Sequence, residues 1–431
     1  MSMHPKELLD LCAQALELTL KFEQPADAVL AKFLQQSRKK HALGARDRSM
    51  LTETLYVVLR KKFLLEAFCL SAPKGSGSKF RRLAMLAFPA PMGFLDPALN
   101  PAERDWLKAC KAVDPYAPEA GLMDRHRHNL PDWLASALRE QLGEGFWPLA
   151  NSLDSQAPLD LRANLLVAKP AEVIAELAAH GIVTAATPYS PWGLRVQGKP
   201  SLHKLDVFER GAVEVQDEGS QLLALLVDAK RGEMVVDFCA GAGGKTLALG
   251  ACMRNTGRLY AFDTSAHRLD ALKPRLARSG LSNVFSAAIA HERDERVKRL
   301  YGKIDRVLVD APCSGVGTLR RHPDLKWRQT PQTVAAFAKQ QLAILEGAAR
   351  MLKPGGRLVY ATCSLLSEEN EAVALEFTSR HRGFSQLAAN DILSDQGVPN
   401  AQVLCSGPYL RLWPHLHQTD GFFAAIWTRS E

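Results

Sequence analysis

The stretch Val235–Gly250, VVDFCAGAGGKTLALG, joins an apolar run, a glycine-rich loop and a helix-forming run. This order predicts a strand that turns sharply into a helix, with glycines that let the backbone approach a ligand closely. The next apolar run, GRLYAFD, ends in Asp263 about 20 residues further on, where a carboxylate can accept hydrogen bonds from ribose hydroxyls. The stretch therefore predicts a Rossmann-like site for a nucleotide-like cofactor.

The spacing of this loop argues against two common nucleotide-binding motifs. A P-loop requires a glycine at the position that Cys239 occupies before the Gly244-Lys245 pair. The run Gly241–Gly244 also lacks the G-x-G-x-x-G spacing of dinucleotide dehydrogenases. S-adenosylmethionine has a ribose and an adenine but no phosphate, and a Rossmann-like sheet can hold it.

The rest of the C-terminal half repeats the alternation of apolar runs and helical segments. The further apolar runs are GRLYAFD, SNVFSAAI, KIDRVLVDAPC and GGRLVYATC, and DGFFAAIWTR predicts a last strand. Continuous apolar strands that alternate with helices are typical of a parallel sheet covered on both faces. We therefore expect an α/β domain over residues 216–431.

Two further domains are expected before it. Residues 1–145 should be helical, because Leu51, Leu55, Val58 and Leu59 recur at helical spacing and no trustworthy strand pattern occurs. Residues 146–215 should form a small α+β unit, with a strand in APLDLRANLL, a helix in KPAEVIAELAAHG and short strands in GLRVQG and GAVEVQD.

The composition limits the class of protein and its partners. No apolar run has the roughly 18 residues of a membrane span, and no secretory signal is evident, so we expect a cytoplasmic chain without a membrane partner. The net charge of +8 and the basic clusters Arg38–His41, Lys79–Arg82 and Arg125–His128 suggest a polyanion such as nucleic acid, but charge alone leaves a merely solvated surface equally open. The eight cysteines form no C-x-x-C pair, which predicts free thiols and no metal site.

Two cysteines follow predicted strands in the same way. Cys313 follows VLVDAP and Cys363 follows LVYAT, and each precedes a serine. Because ligands of open α/β sheets bind at the carboxyl ends of the strands, both thiols and Asp310 should converge on the cofactor site. A single cysteine at a strand end is more often a small packed residue; two such residues favour function for at least one.

A thiol, an acid and a methyl donor together fit methylation of carbon 5 of a pyrimidine. Addition of a thiolate to carbon 6 makes carbon 5 nucleophilic, and an acid at N3 stabilises the adduct. These residues alone leave open which of the two thiols attacks.

The chain resembles the RsmB/NOP2/Sun family of RNA cytosine-C5 methyltransferases over nearly its whole length. The matching segments are RDRSMLTETLYVVLR, PLDLRAN, QDEGSQL, DFCAGAGGKT, DAPCSGVGTLRRHPDLKW, LKPGGRLVYATCSLLSEEN and TDGFFAA. The resemblance implies a Rossmann-like S-adenosylmethionine-dependent methyltransferase domain (216–431), preceded by an RRM-like α+β unit (146–215) and an all-α NusB-like RNA-binding domain (1–145).

The resemblance also implies residue roles and partners. Cys363 would attack carbon 6, Cys313 would help release the product, and Asp310 would contact N3. The residues implied to hold S-adenosylmethionine are Cys239, Ala240, Gly241, Ala242, Gly243, Gly244, Lys245, Asp263 and Asp310. The implied partner is RNA, small-subunit ribosomal RNA in particular; we expect a monomer and no DNA substrate.

One departure from the family pattern keeps alternatives open. The family usually has an acid just after the third strand, where this chain has Ala290; His291, Glu292 or a backbone group could replace it. The alternatives are a non-catalytic RNA-binding or ribosome-assembly factor on the same fold, a transfer RNA substrate, and, more weakly, a DNA methyltransferase that attacks through Cys313.

Overall fold

The structure is a computed structural model that describes residues 3–38, 41 and 43–430. Lys39 and Lys40, in the middle of the first basic cluster, lie outside the described residues.

The regular elements change along the chain from helices alone to strands that alternate with helices. The helices are α1 (Pro5–Thr19), α2 (Ala26–Ser37), α3 (Ala45–Arg60), α4 (Lys62–Cys69), α5 (Lys79–Ala87), α6 (Met92–Leu95), α7 (Pro101–Ala112), α8 (Asp124–His128), α9 (Asp132–Leu142), α10 (Phe146–Leu153), α11 (Pro170–Ala179), α12 (Asp206–Glu209), α13 (Glu218–Val227), α14 (Gly244–Cys252), α15 (Ala266–Ser279), α16 (Glu295–Lys298), α17 (Leu325–Arg328), α18 (Pro331–Ala349), α19 (Glu371–Arg380), α20 (Ala389–Asp395) and α21 (Pro414–His417). The strands are β1 (Leu159–Ala163), β2 (Thr184–Ala186), β3 (Gly193–Val196), β4 (Val213–Val215), β5 (Met234–Asp237), β6 (Arg258–Asp263), β7 (Val284–Ala288), β8 (Ile304–Asp310), β9 (Leu352–Thr362), β10 (Phe384–Leu387), β11 (Cys405–Ser406), β12 (Tyr409–Leu412) and β13 (Phe422–Arg429).

The chain divides into two compact units, a helical unit and a sheet unit. The helical unit comprises residues 1–156 together with 319–330, and the sheet unit comprises residues 157–318 and 331–431. The boundaries expected after residues 145 and 215 remain predictions.

The helical unit is built around amphipathic helices. Its regular elements within the described residues are all helical, as the sequence predicted. The predicted apolar stripe of α3 lies in the core, where Leu51, Leu55, Val58 and Leu59 are fully buried. Removing these side chains from water is the main stabilisation of such a helix, since its own hydrogen bonds contribute little net free energy.

The segment Leu319–Thr330 completes the helical unit although it follows the Cys313 turn in sequence. The indole N–H of Trp327 donates to the carbonyl of Leu59 (2.8 Å), and the ammonium of Lys326 donates to the carbonyl of Arg60 (2.7 Å). These bonds satisfy carbonyls at the C-terminal end of α3, which have no partner within their own helix.

The sheet unit begins with a small four-stranded sheet in the order β2-β3-β1-β4. All of its pairings are antiparallel. Helix α11 covers it with Val173 and Leu177, which are one helical turn apart and fully buried. This arrangement confirms the predicted α+β character of the segment, including its helix at Pro170–Ala179.

The large sheet has the order β11-β12-β13-β9-β8-β5-β6-β7, with β10 also paired to β13. Strands β9, β8, β5, β6 and β7 are parallel, as expected. Val235 and Val236 are both fully buried but belong to different apolar clusters, so both faces of the sheet are covered. The chain runs from β5 outward to β7 and resumes at β8 on the other side of β5, which makes the β5–β8 crevice the topological switch point.

The sheet is mixed rather than wholly parallel. The predicted last strand, β13, pairs antiparallel with β9, and β10 and β12 pair antiparallel with β13. Strands β10, β11 and β12 were not predicted from the sequence. They are two to four residues long and show no apolar alternation long enough to be recognised.

No helix within the described ranges is long and apolar enough to cross a membrane.

Candidate active site

The two thiols meet at the carboxyl edge of the large sheet. Strands β8 and β9 are parallel neighbours, so the turns that follow them begin side by side. The Sγ atoms of Cys313 and Cys363 are 3.3 Å apart, and both side chains are half-buried. The structure therefore brings together two residues that lie 50 positions apart in sequence.

The turns that carry the thiols are packed backbone to backbone. The amide of Gly317 donates to the carbonyl of Cys363 at 2.9 Å. A Cβ atom at Gly317 would lie 2.1 Å from the carbonyl oxygen of Gly421 and 2.7 Å from that of Cys363. Only glycine fits such an approach, which explains the glycine shortly after Cys313.

The electrostatic surroundings of the two thiols differ. The contact with Cys363 and burial together raise the pKa of Cys313 well above its ordinary value, so Cys313 is a protonated thiol at neutral pH. Lys245 interacts electrostatically with Cys363, and a nearby cation supports the reactivity of a sulfur as a nucleophile. Cys363 is therefore the thiol on which the charge of Lys245 acts.

Lys245 and Asp310 form an ion pair beside the thiols. The ammonium of Lys245 donates to Oδ2 of Asp310 at 2.7 Å, and it lies 5.7 Å from the centre of the Phe422 ring. Burial alone would lower the pKa of Lys245, but the Asp310 carboxylate outweighs it and the pKa is raised. Lys245 is therefore a permanent cation that fixes Asp310 at the end of β8.

The glycine loop makes the turn that the sequence predicted. Gly241 and Gly243 have left-handed φ values of 55° and 81°. A Cβ atom at Gly243 would lie 2.1 Å from the Leu272 side chain, so the loop requires glycine there. The carboxylate of Asp263 accepts from the amides of Gly241 and Ser265, both at 2.8 Å, and keeps lone pairs for a further donor.

A cavity of about 400 Å³ lies at this edge. Its size falls within the usual range for pockets that bind small molecules and cofactors. Its lining comprises Phe238, Cys239, Asp263, Thr264, Arg268, Ile289, Glu292, Asp310, Ala311, Pro312, Cys313, Phe337, Gln340, Ile344 and Cys363. The combination of a cofactor-sized cavity, a carboxylate with free lone pairs and a glycine-formed turn fits S-adenosylmethionine.

The structure brings most of the predicted site residues to this cavity. Both thiols, Cys239, Asp263 and Asp310 line it. The predicted loop residues 240–244 form the adjoining turn rather than the lining itself, and Lys245 is joined to the cavity through Asp310. Three of the lining residues that were not predicted from the sequence lie on α18. They share one face of α18 by their spacing, but nothing in the sequence says that this face meets the cavity; they are Phe337, Gln340 and Ile344.

The cavity lining also indicates which residue could replace the acid that the family usually has at the position of Ala290. Of the two candidate side chains that could replace the usual acid, Glu292 lines the cavity and His291 does not. The side chain of Glu292 is mostly buried and lies 3.5 Å from the guanidinium of Arg293. The geometry therefore favours Glu292 among the alternatives.

A buried carboxyl group lies behind the glycine loop. Asp237, at the end of β5, is 1% exposed, and its Oδ2 accepts from the Thr246 hydroxyl at 2.6 Å. Burial, with the nearby Asp310 charge adding to it, raises the pKa of Asp237 to about 7. This hydrogen bond joins the end of β5 to the first turn of α14 and so helps to close the loop.

One of the basic clusters, Lys79–Arg82, forms ion pairs within the helical unit. Lys79 pairs with Glu66 at 2.6 Å, and Arg81 pairs with Asp10 and Glu103, each at 3.2 Å. The cluster Lys79–Arg82 therefore serves the helical unit itself as well as its surface.

Two family models match the chain. The model of the 16S rRNA methyltransferase RsmB/F matches residues 224–428, and the model of the ferredoxin-like domain of RsmF/B-like methyltransferases matches residues 130–203.

Individual relatives match most of the chain. A probable ribosomal RNA small subunit methyltransferase B of Synechocystis sp. is 33% identical over 424 residues, which cover 91% of this chain and 93% of the relative. The ribosomal RNA small subunit methyltransferase B of Vibrio cholerae is 32% identical over 76% of this chain and 71% of the relative.

Solved structures agree with these sequence matches. The crystal structure of PH0851 is 26% identical and covers all of both chains with a TM-score of 0.77. The structure of a methyltransferase homolog protein from Pyrococcus horikoshii is 28% identical and covers 73% of this chain and 99% of its own, with a TM-score of 0.60. The chain therefore belongs to the RsmB/F family and is an S-adenosylmethionine-dependent RNA methyltransferase with a Rossmann-like catalytic domain.

Proposed function

We propose that the chain methylates carbon 5 of a cytosine in small-subunit ribosomal RNA through a covalent bond between Cys363 and carbon 6. The observation that carries this proposal is the 3.3 Å contact of Cys313 and Cys363 on a cavity that Asp310 also lines. One thiol could be a packed side chain. Two thiols and a carboxylate at one cavity provide the groups that addition, proton transfer and elimination each need.

Each step of the proposed reaction has a residue in place. The Cys363 thiolate forms a bond to carbon 6, and the electron pair of the 5,6 double bond moves into the ring. A proton taken up from water and shared between N3 and the Asp310 carboxylate, which Lys245 holds in place, offsets the charge that forms on the ring. When bound, S-adenosylmethionine supplies the methyl group that carbon 5 accepts.

The release step uses the second thiol. Loss of the carbon 5 proton re-forms the double bond and expels Cys363 as a thiolate. We assign Cys313 as the acid that passes its proton to the departing sulfur while water takes the carbon 5 proton, because it is a protonated thiol in contact with that sulfur. This division of labour agrees with the different surroundings of the two sulfurs.

The cofactor is assigned to the glycine loop and the cavity beside it. The loop Cys239–Lys245 and Asp263 would hold it, with Asp263 at the ribose hydroxyls. Glu292 would accept a hydrogen bond from the adenine amino group, in place of the acid that Ala290 lacks. The target cytosine must be unpaired or flipped out for carbon 6 to reach a thiol at this depth.

The choice of RNA rests on the relatives, which are named as small-subunit ribosomal RNA methyltransferases. The experiment is to map 5-methylcytosine in ribosomal and transfer RNA from cells with the gene, without it, and with the Cys363→Ala variant. We expect one small-subunit cytosine to lose its methyl group in the latter two. Loss of 5-methylcytosine from transfer RNA alone would show that transfer RNA, not ribosomal RNA, is the substrate. Unchanged maps would refute the proposal.

A further inference from the structure

A buried carboxylate links the two thiol-bearing turns. Glu369 is fully buried, and its Oε2 accepts from the hydroxyls of Ser314 and Ser364, both at 2.5 Å. Its Oε1 accepts from the backbone amide of Ser314 at 2.8 Å and from the Gln341 side chain at 3.1 Å. The two serines are the residues directly after Cys313 and Cys363, and their hydroxyl oxygens are 3.2 Å apart.

We propose that Glu369 is a positioning residue that sets the spacing of the two catalytic thiols by holding both turns on one carboxylate. The inference rests on the proposed two-thiol reaction. It assigns a residue that lines no part of the cavity and so touches neither the base nor the cofactor.

The free-energy cost of burying the Glu369 carboxylate favours a role for it beyond filling space. Within the described part of the chain, Glu369 forms no ion pair, so four hydrogen-bond donors alone stabilise its buried carboxylate. A buried carboxylate without a cation is costly, and an apolar side chain of similar size would fill the same space at less cost. A single carboxylate, however, can accept from both turns at once, which an apolar side chain cannot do.

Glu369 and the two serines that it joins, Ser314 and Ser364, are called the clamp below. Neighbouring hydrogen bonds fix the clamp in place. The Tyr360 hydroxyl donates to the backbone carbonyl of Glu369 at 2.5 Å. The side chain of Asn370 accepts from the Thr362 hydroxyl at 2.5 Å and donates to the carbonyl of Ser364 at 3.0 Å. The turn after Cys363 is thus fixed to β9 from both sides, and Glu369 joins the turn after Cys313 to it.

The first test measures adduct formation and release separately on the full-length protein with its RNA. We expect Glu369→Gln to slow both steps by about 100-fold, since small displacements of reacting groups have effects of that order. Glu368→Gln, an exposed neighbour, is the matched control and should match the wild type. Affinity for S-adenosylmethionine should stay unchanged in both variants.

Variants of the two serines distinguish a loss of positioning from a general loss of stability. Ser364→Ala should slow adduct formation more than release, and Ser314→Ala should slow release more than formation. Loss of stability alone would instead lower both rates and cofactor binding in the same proportion. If Glu369→Gln does not fold, the two serine variants carry this test with the same outcomes.

A second measurement needs no RNA and so distinguishes failure of the inference from failure of the proposed function. Phenylarsine oxide bridges two nearby thiols, forming two As–S bonds and releasing water. Its affinity for the Cys313–Cys363 pair therefore reports the distance between the two sulfurs. The variant Cys313→Ala measures the binding of the reagent to the other thiols, which is subtracted. We expect binding at least about tenfold weaker in Glu369→Gln than in the wild type or Glu368→Gln, because the carboxylate no longer holds both turns. Unchanged arsenical affinity and unchanged adduct kinetics in Glu369→Gln would overturn the proposal. If the wild type itself forms no RNA adduct but the arsenical effect is seen, the two-thiol reaction fails and the clamp stands.

Discussion

The Sγ atoms of Cys313 and Cys363 lie 3.3 Å apart at the ends of adjacent parallel strands. With Cys313 as the proton donor for release, the variant Cys313→Ala should form the RNA adduct and then hold it. Denaturing gel electrophoresis with unmodified RNA should show a shifted protein band for Cys313→Ala, a faint band for the wild type and none for Cys363→Ala. A strong band for Cys363→Ala with none for Cys313→Ala would reverse the roles.

Glu292 should contribute to cofactor affinity. Glu292→Ala removes an acid that lines the cavity two residues after Ala290. It should weaken S-adenosylmethionine binding by about tenfold or more, the usual cost of losing a hydrogen bond to a charged group. Isothermal titration calorimetry measures this directly. His291→Ala is the matched control, because His291 does not line the cavity. Equal weakening by both variants would assign the effect to the loop as a whole.

The stability of the sheet unit should depend on the charge of Asp237. The folded protein holds a proton on this carboxyl up to about pH 7, whereas an ordinary aspartate with a pKa of 3.8 has already released it. Raising the pH through this window therefore favours unfolding.

Asp237→Asn removes this titration. Between about pH 5 and about pH 8 the wild type should lose ~3 kcal/mol of unfolding free energy relative to Asp237→Asn, as the size of the pKa shift implies. Denaturant unfolding of both proteins across this range measures the difference. A constant difference would contradict the raised pKa of Asp237.

Trp327 should stabilise the helical unit although it follows the Cys313 turn in sequence. Its ring packs edge-on against Phe63, with centroids 4.8 Å apart, and its N–H donates to Leu59. Trp327→Ala should therefore cost ~2–4 kcal/mol, somewhat below the usual cost for a fully buried aromatic side chain, because Trp327 is only partly buried. Hydrogen exchange of the full chain should show lost protection in α3 and α4.

The neighbouring Arg328→Ala is the control for this variant. Arg328 contributes an ion pair with Asp324 at 3.4 Å, and its loss should cost less than about 1 kcal/mol. Equal protection of α3 in Trp327→Ala and the wild type would show that the segment 319–330 is not needed by the helical unit.

The parts of the site that could be predicted are those governed by local sequence and a topological rule. Cys313 and Cys363 each follow a recognisable apolar strand, and the carboxyl ends of parallel strands share one edge, so their convergence could be inferred. The glycine loop and Asp263 could be inferred for the same reason. The choice of the attacking thiol could not, because it depends on surroundings such as Lys245 that only the fold brings together.

Other features depend on contacts between distant residues that carry no local pattern. Glu369 lies 55 positions from Ser314, and its neighbour Glu368 is chemically identical but exposed. The segment Leu319–Thr330 is continuous with the catalytic motif, so nothing in its sequence assigns it to the helical unit. Strands β10–β12 are too short for their alternation to be distinguished from loop sequence.

The central claim is that Cys363 forms the covalent bond to the base. RNA that carries 5-fluorocytosine should trap the adduct, because the fluorine on carbon 5 cannot leave as a proton does. Digestion and mass spectrometry of the trapped complex then identify the linked residue. We expect a nucleotide on the peptide that contains Cys363 and none on the peptide that contains Cys313. A nucleotide on Cys313, or no linked peptide with active wild-type enzyme, would contradict the claim.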